Sequence, residues 1–250
     1  MNLKKIILLV FSVFLLLISI GPLLTMAREL WTSSKVDGRY KVQHAYTDDN
    51  GFPDIIDTQT LTVHDQSIFI KEETTERKAP LTSWDREEGV PPGDIVNLQL
   101  VINGRNVSTA DPIWLSNRQR GSRYFSWLDV LTVKDRVKGT EQLMIVQRLS
   151  DDDVVDNNRK WKIITVDRSG KTSEEHFTYK NRSDHPLGVK LVNFSYTGLM
   201  QMGYYSDLLK GYPSLIFPFT YPFATGLMGV VFLWLALRRK GEKHAGETIS

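Results

Sequence analysis

The chain has 250 residues, 41% of them hydrophobic and 24% charged, with a formal net charge of +2 and no cysteine. The absence of thiols excludes disulfides, thiolate metal sites, a lipidated cysteine and a cysteine nucleophile. The length fits one or two domains.

Lys4-Lys5 precedes an uncharged run of 22 residues from Ile6 to Ala27, broken by Gly21-Pro22. At 1.5 Å of rise per residue this run can cross the roughly 30 Å apolar layer of a bilayer. Thr25-Met26-Ala27 also fits the end of a cleavable signal peptide. Retention as a signal-anchor is the favoured reading, because the run is long for a signal core and threonine is a poor cleavage residue.

Past this segment the chain reads as short strands. Arg39 to Tyr46 alternates and meets Asp48-Asp49-Asn50-Gly51, a strand and its turn. Ile55 to Val63 and Ser67 to Ile70 form a hairpin interrupted at His64-Asp65-Gln66. Glu72 to Gly93 is charged and carries Pro80, Pro91 and Pro92, so it reads as a long loop anchored by Trp84. In the next strand Val96, Leu98, Leu100 and Ile102 point one way and Asn97 and Gln99 the other. Asn103-Gly104 follows, and that pair after strict alternation signals a hairpin whose two turn residues need positive φ.

Tyr124 to Val133, Gln142 to Leu149, Trp161 to Val166, His176 to Tyr179 and Val189 to Tyr196 are further strands, with Asp167 to Gly170 as a tight turn. Gly198 to Leu209 is the one helical candidate, with Thr197 as N-cap, Gly211 as C-cap and Pro213 as the stop. Nine or ten short strands without a repeat predict a mainly β domain, an antiparallel sandwich or barrel-like sheet.

The last apolar run, Leu215 to Leu237, has 23 uncharged residues and ends on Arg238-Arg239-Lys240. Pro218 and Pro222 lie among aromatics in its first third, so Tyr212 to Phe223 reads as a collar at the water–lipid boundary and Ala224 to Leu237 as regular helix. Gly226 and Gly229 leave room for a second helix, although ordinary glycine use in a membrane helix is the commoner reading. Homo-oligomerisation stays open.

Both basic clusters flank the opposite ends of the two spans, and the positive-inside rule puts them in the cytoplasm. The expected layout is 1–5 cytoplasmic, 6–27 a transmembrane helix or signal peptide, 28–212 an extracytoplasmic β-rich domain, 213–237 a transmembrane helix and 238–250 a cytoplasmic tail. Six of the 31 Lys+Arg and two of the 29 Asp+Glu lie in the cytoplasmic flanks, which leaves 25 against 27 outside. The exported part is thus slightly acidic, which argues against a nucleic-acid partner. The lack of disulfides in an exported domain leans toward a bacterial cell membrane.

No chemical motif is complete. Asp151-Asp152-Asp153 with Asp156, Asn157 and Asn158 lacks the glycine and glutamate of a calcium loop and reads as solvated. His44, His64, His176 and His185 lack zinc-site spacing, and a convergence of His176 with His185 is the minor reading. Neither a catalytic residue, nor a metal, nor a cofactor is expected. Glu72/Glu73 and Glu87/Glu88 are loop carboxylate pairs of the kind glycosidases use, and they read as solvated charge. Three Asn-x-Ser triplets start at Asn106, Asn181 and Asn193 and are weak glycosylation signals. Trp31, Trp84, Trp114 and Trp127 suit either a core or a groove floor, and core packing is the commoner fate.

The best binding candidate is Arg118, Arg120, Arg123 and Tyr124, just before Phe125-Ser126-Trp127. Read as a strand, this stretch buries Phe125 and Trp127 and leaves Tyr124 and the arginines accessible to an anionic or protein partner. The function expected is a membrane-anchored interaction, sensor or accessory module of a cell-envelope complex, in contact with lipid and with a protein partner. The alternative is a surface enzyme acting on a wall or lipid polymer, with loop carboxylates and His176/His185 as its groups.

Overall fold

A computed structural model of the chain describes residues 3–46, 60–63, 65–81, 83–116, 123–149, 158–198, 201–209 and 219–238. The chain divides into two compact units, Met1–Leu30 with Ser206–Ser250 and Trp31–Tyr205.

The first unit is helical. Helix α1 runs unbroken from Leu3 to Arg39 and so continues past the expected span end at Ala27. An irregular turn, Phe219–Ala224, leads into helix α4, Thr225–Leu237. Proline at 222 removes a helical donor, which fits an irregular start to this segment. Both α1 and the Thr220–Leu237 stretch are long and apolar enough to cross a membrane.

They pack antiparallel. Lys5 Nζ donates to Arg238 O at 2.9 Å, the Phe11 and Phe232 rings lie 5.9 Å apart, and Ser19 Oγ is 2.8 Å from Thr225 Oγ1. Tyr221 OH donates to Ile18 O at 2.8 Å, and the Ser206 amide donates to the buried Glu29 carboxylate at 2.5 Å. The buried face of α1 carries Ser12, Leu15, Ser19 and Met26, a helical three-and-four spacing. Opposite it, a Cβ at Gly229 would lie 2.9 Å from Leu16 Cγ, and one at Gly226 would lie 3.3 Å from Leu23 Cδ1. The two glycines are therefore what lets the helices approach, beyond ordinary usage.

The second unit holds two antiparallel sheets. Strand β1 (Tyr40–His44) pairs with β7 (Leu128–Asp135), followed across the first sheet by β8 (Thr140–Arg148), β9 (Lys160–Val166) and β10 (Thr172–Thr178). The second sheet orders β2 (Thr60–Val63), β3 (Gln66–Lys78), β4 (Asp94–Ile102) and β5 (Arg105–Asn106), with β6 (Asp111–Trp114) also on β4. A short helix α2 (Ser83–Glu87) follows β3, and α3 (Pro186–Phe194) follows β10.

Alternation along the central strands sorts side chains into two cores. Leu128, Val130, Leu143, Ile145, Ile164 and Val166 join Ile68, Ile70, Leu98, Leu100 and Ile113 of the second sheet. Leu131, Val133, Met144, Val146, Trp161 and Ile163 point the other way, onto Val189, Leu191 and Val192 of α3. The first sheet is thus buried on both faces, so its strands are apolar almost throughout. Lys162, fully buried on β9, ties the sheets by donating from Nζ to Asp111 Oδ2 of β6 at 2.5 Å.

Several expectations change. Glu72 to Lys78 belongs to β3, so the expected loop starts later. Charge there is tolerated because β2 pairs with only the first residues of β3, and the half from Glu72 onward, paired with β4, is largely exposed. Residues 123–127 form turns and β7 starts at Leu128. The expected strand Val189–Tyr196 is largely helix α3: Pro186 sits in its first turn, and Gly188, Leu191, Val192 and Ser195 are buried at helical spacing. The expected helix Gly198–Leu209 does not form over its described part, 201–209. The side-chain amide of Asn193 accepts from Met202 N and donates to Met202 O, both at 2.8 Å, and Arg182 Nε donates to Gly203 O at 2.7 Å. Those bonds take up Met202 N, Met202 O and Gly203 O outside any helical ladder. The first part of the expected strand at 55–63, residues 55–59, lies outside the described residues, as do the turn at 48–51 and the acidic stretch 151–157.

The Asn103-Gly104 hairpin forms as expected, with φ of 49° and 76° and Ile102 opposite Arg105. Gly104→Val should lower stability by about 1–2 kcal/mol, since a β-branched residue is strained at positive φ. Thermal melting of the chain in detergent checks this. For the helix pair, the cysteine-free chain permits Phe11→Cys with Phe232→Cys, which should cross-link through a short bifunctional reagent. Adding Gly229→Leu should sharply reduce that yield.

Candidate binding surface

His44 is the last residue of β1 and lies opposite Leu131 on β7; Asp129, two residues earlier on β7, shares that face by strand alternation. His44 Nδ1 is 3.1 Å from Asp129 Oδ2 and 3.4 Å from Oδ1. Asp129 is 2% exposed, a carboxylate set among Leu128, Val130 and Leu131. A buried carboxylate needs such a partner, because leaving it unpaired costs several kcal/mol.

The other side of the imidazole meets aromatic rings. Helix α3 ends at Phe194, and Ser195 turns inward to bond Thr197, so Phe194 and Tyr196 both face outward. Their ring centroids lie 4.7 and 5.7 Å from that of His44, near parallel to it, and Phe125 lies 5.5 Å from Tyr196. Phe125, Phe194 and Tyr196 are 50%, 40% and 43% exposed, so these touching rings form one apolar patch open to solvent. Its base is fixed, since His44 is held by Asp129 beneath it. The arrangement offers flat rings and a nitrogen edge to a ligand.

The four expected site residues separate. Arg118 and Arg120 lie outside the described residues. Arg123 donates from Nε and Nη2 to Glu72 Oε1 and Oε2, each at 2.8 Å, and Tyr124 OH donates to Glu72 Oε1 at 2.6 Å. Tyr124 is fully buried and Phe125 exposed, the reverse of the strand reading. The cause is the turn at 123–127, which breaks the two-residue period. Glu72 shares the inward face of β3 with Ile68 and Ile70, so it arrives at the core edge where only a matched donor set can hold it. The Arg123 guanidinium keeps the Glu72 carboxyl below the usual carboxylate range despite partial burial, and Tyr124 adds to this. Burial and the adjacent carboxylate in turn push the Tyr124 phenol up. Arg123 and Tyr124 therefore lock a strand to a turn.

The remaining candidates disperse. His176 pairs with Glu174 at 2.5 Å on the exposed edge strand β10, while His185 precedes α3 and packs on Phe177 at 5.6 Å. Among the described residues no group of three or more His, Asp or Glu comes together to hold a metal. Of the tryptophans, Trp127 is buried, Trp114 leans on it at 5.3 Å, and Trp31 is 73% exposed on α1. Asn193 spends its amide on Met202, which leaves that sequon poorly placed for a glycan.

The pairing of His44 with Asp129 has no motif to announce it. The signal for it is Asp129 itself, a lone carboxylate inside Trp-Leu-Asp-Val-Leu, because a charge in a two-face-buried strand demands a partner.

Because Glu72 is more acidic folded than unfolded, its contribution is complete above its unfolded value and is lost as pH falls through the folded one. Stability should therefore decline below about pH 4. Arg123→Gln should cost about 1–2 kcal/mol at neutral pH, discounted for the half-exposed guanidinium, and should make that acid decline shallower. Melting temperatures of both proteins between pH 3 and pH 7 check this; parallel curves would assign the acid response to other carboxylates.

No protein-family model matches the chain, and no curated protein or solved structure matches it.

Proposed function

We propose that the chain is a membrane-anchored binding module, an accessory or sensor component of a bacterial cell-envelope complex. Its two apolar helices span the bilayer as an antiparallel pair, and its two sheets form a sandwich around their shared core, held outside the cytoplasm. Retention of the first span is supported by its packing: Ser12, Ser19 and Met26 are buried on the face toward α4. The outward orientation is supported by Lys5 meeting Arg238, which puts both basic flanks at one end of the pair.

The observation that carries the binding reading is the patch of Phe125, Phe194 and Tyr196 in mutual or shared ring contact around a pinned histidine. Exposed aromatics on a rigid base are a favourable hot-spot composition, since little side-chain entropy remains to be lost on binding. The enzyme alternative rests on groups occupied elsewhere: Glu72 by Arg123, His176 by Glu174, His185 by Phe177.

A photoreactive amino acid in place of Tyr196, introduced into the full chain in its native membrane, should form a discrete adduct on illumination. The same group in place of Glu175, on the exposed edge of β10, should not. Equal labelling at the two positions, or none at Tyr196, would overturn the assignment of the patch as the contact surface.

A further inference from the structure

Two hairpin turns from different sheets meet at one place. The β4–β5 turn presents Asn103, and the β9–β10 turn presents Gly170 so closely that a Cβ there would lie 3.0 Å from Asn103 Nδ2 and 3.1 Å from Gln66 Oε1. Gly170 also has φ of 79°, so the position suits glycine on both counts. Between the turns lies a cleft of about 470 Å³, lined by Asn103, Arg105, Ser169, Gly170, Lys171 and Thr172. That volume accommodates a small ligand.

The lining carries two cations and no carboxylate. The acid closest in sequence, Asp167, turns Oδ1 into its own hairpin, where it accepts from Ser169 N, Ser169 Oγ and Lys171 N at 2.8, 2.6 and 2.9 Å. Those bonds fix the loop that carries Lys171. Arg105 stands on the facing strand β5, which is pinned through Ile102 and through the Asn103 bonds to Gln66 and Ser67. Guanidinium, ammonium and hydroxyl donors on two rigid turns match an oxyanion with several acceptor oxygens.

We propose that this cleft binds a phosphate ester, with Arg105 and Lys171 on its oxygens and Asn103 and Thr172 on the hydroxyls of the esterified alcohol. The ester is a soluble polyol phosphate or the headgroup of an anionic glycerophospholipid; the recognised chemistry is the same. The site is independent of the aromatic patch. Cross-strand register sets Val166, at the base of the β9–β10 turn, opposite Leu143 and Leu143 opposite Thr132, so Asp129 stands two strands across and three residues back along β7, about 10 Å at strand rise, on the face turned toward α3.

The test uses the full chain in nanodiscs of uncharged phosphatidylcholine, titrated calorimetrically with glycerol 3-phosphate and, separately, with water-soluble dihexanoyl phosphatidylglycerol. Saturable binding of at least one, weakening as salt rises, is expected. Response to the soluble ester identifies a free phosphate, and response to the lipid alone identifies a headgroup. Arg105→Gln with Lys171→Gln should weaken binding on the order of a hundredfold, about tenfold per charged contact, and Lys171→Gln alone about tenfold. Arg168→Gln, outside the lining, should bind as the parent does. Failure of the parent to bind either probe, or parental affinity in a double variant with a parental melting temperature, would overturn the proposal.

Discussion

Helix α1 cannot satisfy its own side chains. Ile7, Val10, Phe14, Leu17, Ile20 and Leu24 remain exposed although α4 packs against the helix, and α4 likewise exposes Leu227, Val230, Val231 and Trp234. An apolar surface of that extent is costly to expose to water, and both segments are long and apolar enough to cross a hydrocarbon layer. Within hydrocarbon, burial of apolar area no longer drives the helices together, so close backbone approach and polar contacts must do so. Gly226 and Gly229 supply the approach, and the Ser19–Thr225 and Tyr221–Ile18 contacts supply the hydrogen bonds. Lys5 at one end and Arg28 at the other bound the uncharged length between them.

The β unit answers a different constraint. Its first sheet is buried on both faces, so polar groups on the central strands must be paired inside or at an edge. Lys162 reaches Asp111, and the Arg148 guanidinium lies 4.1 Å over the Trp127 ring. Asp129 finds His44, and that pairing decides where the aromatic patch stands, because His44 is the platform on which Phe194 and Tyr196 rest. The Glu72–Arg123–Tyr124 contact serves the opposite flank of the core in the same manner. The aromatic patch and the fold are therefore linked through a buried carboxylate.

Much of the architecture was legible where one period dominated. Strand β4 keeps a clean two-residue alternation and ends on Asn-Gly, and the last span is uncharged up to its arginines. The 187–196 stretch was not legible, since Val189–Leu191 and Val192–Phe194 keep strand steps of two while Val189–Val192 and Leu191–Phe194 keep helical steps of three, over too short a length to decide. Pro186 at its start was the cue that favoured helix. The faces of the stretch after Arg123 were not legible for a related reason. A turn at 123–127 inverts the faces, so Tyr124 goes inward and Phe125 outward. The patch itself joins residues from β1, the 123–127 turn and the end of α3, and no local pattern announces contacts between residues 44, 125 and 196.

Anchoring by both helices with the β unit outside the cytoplasm is tested most directly by protease accessibility on intact spheroplasts, with an epitope tag fused after Ser250. External protease should destroy the β unit while the tag survives on a short fragment that resists carbonate extraction. Survival of the β unit until the membrane is permeabilised, or release of the whole chain by carbonate, would contradict it.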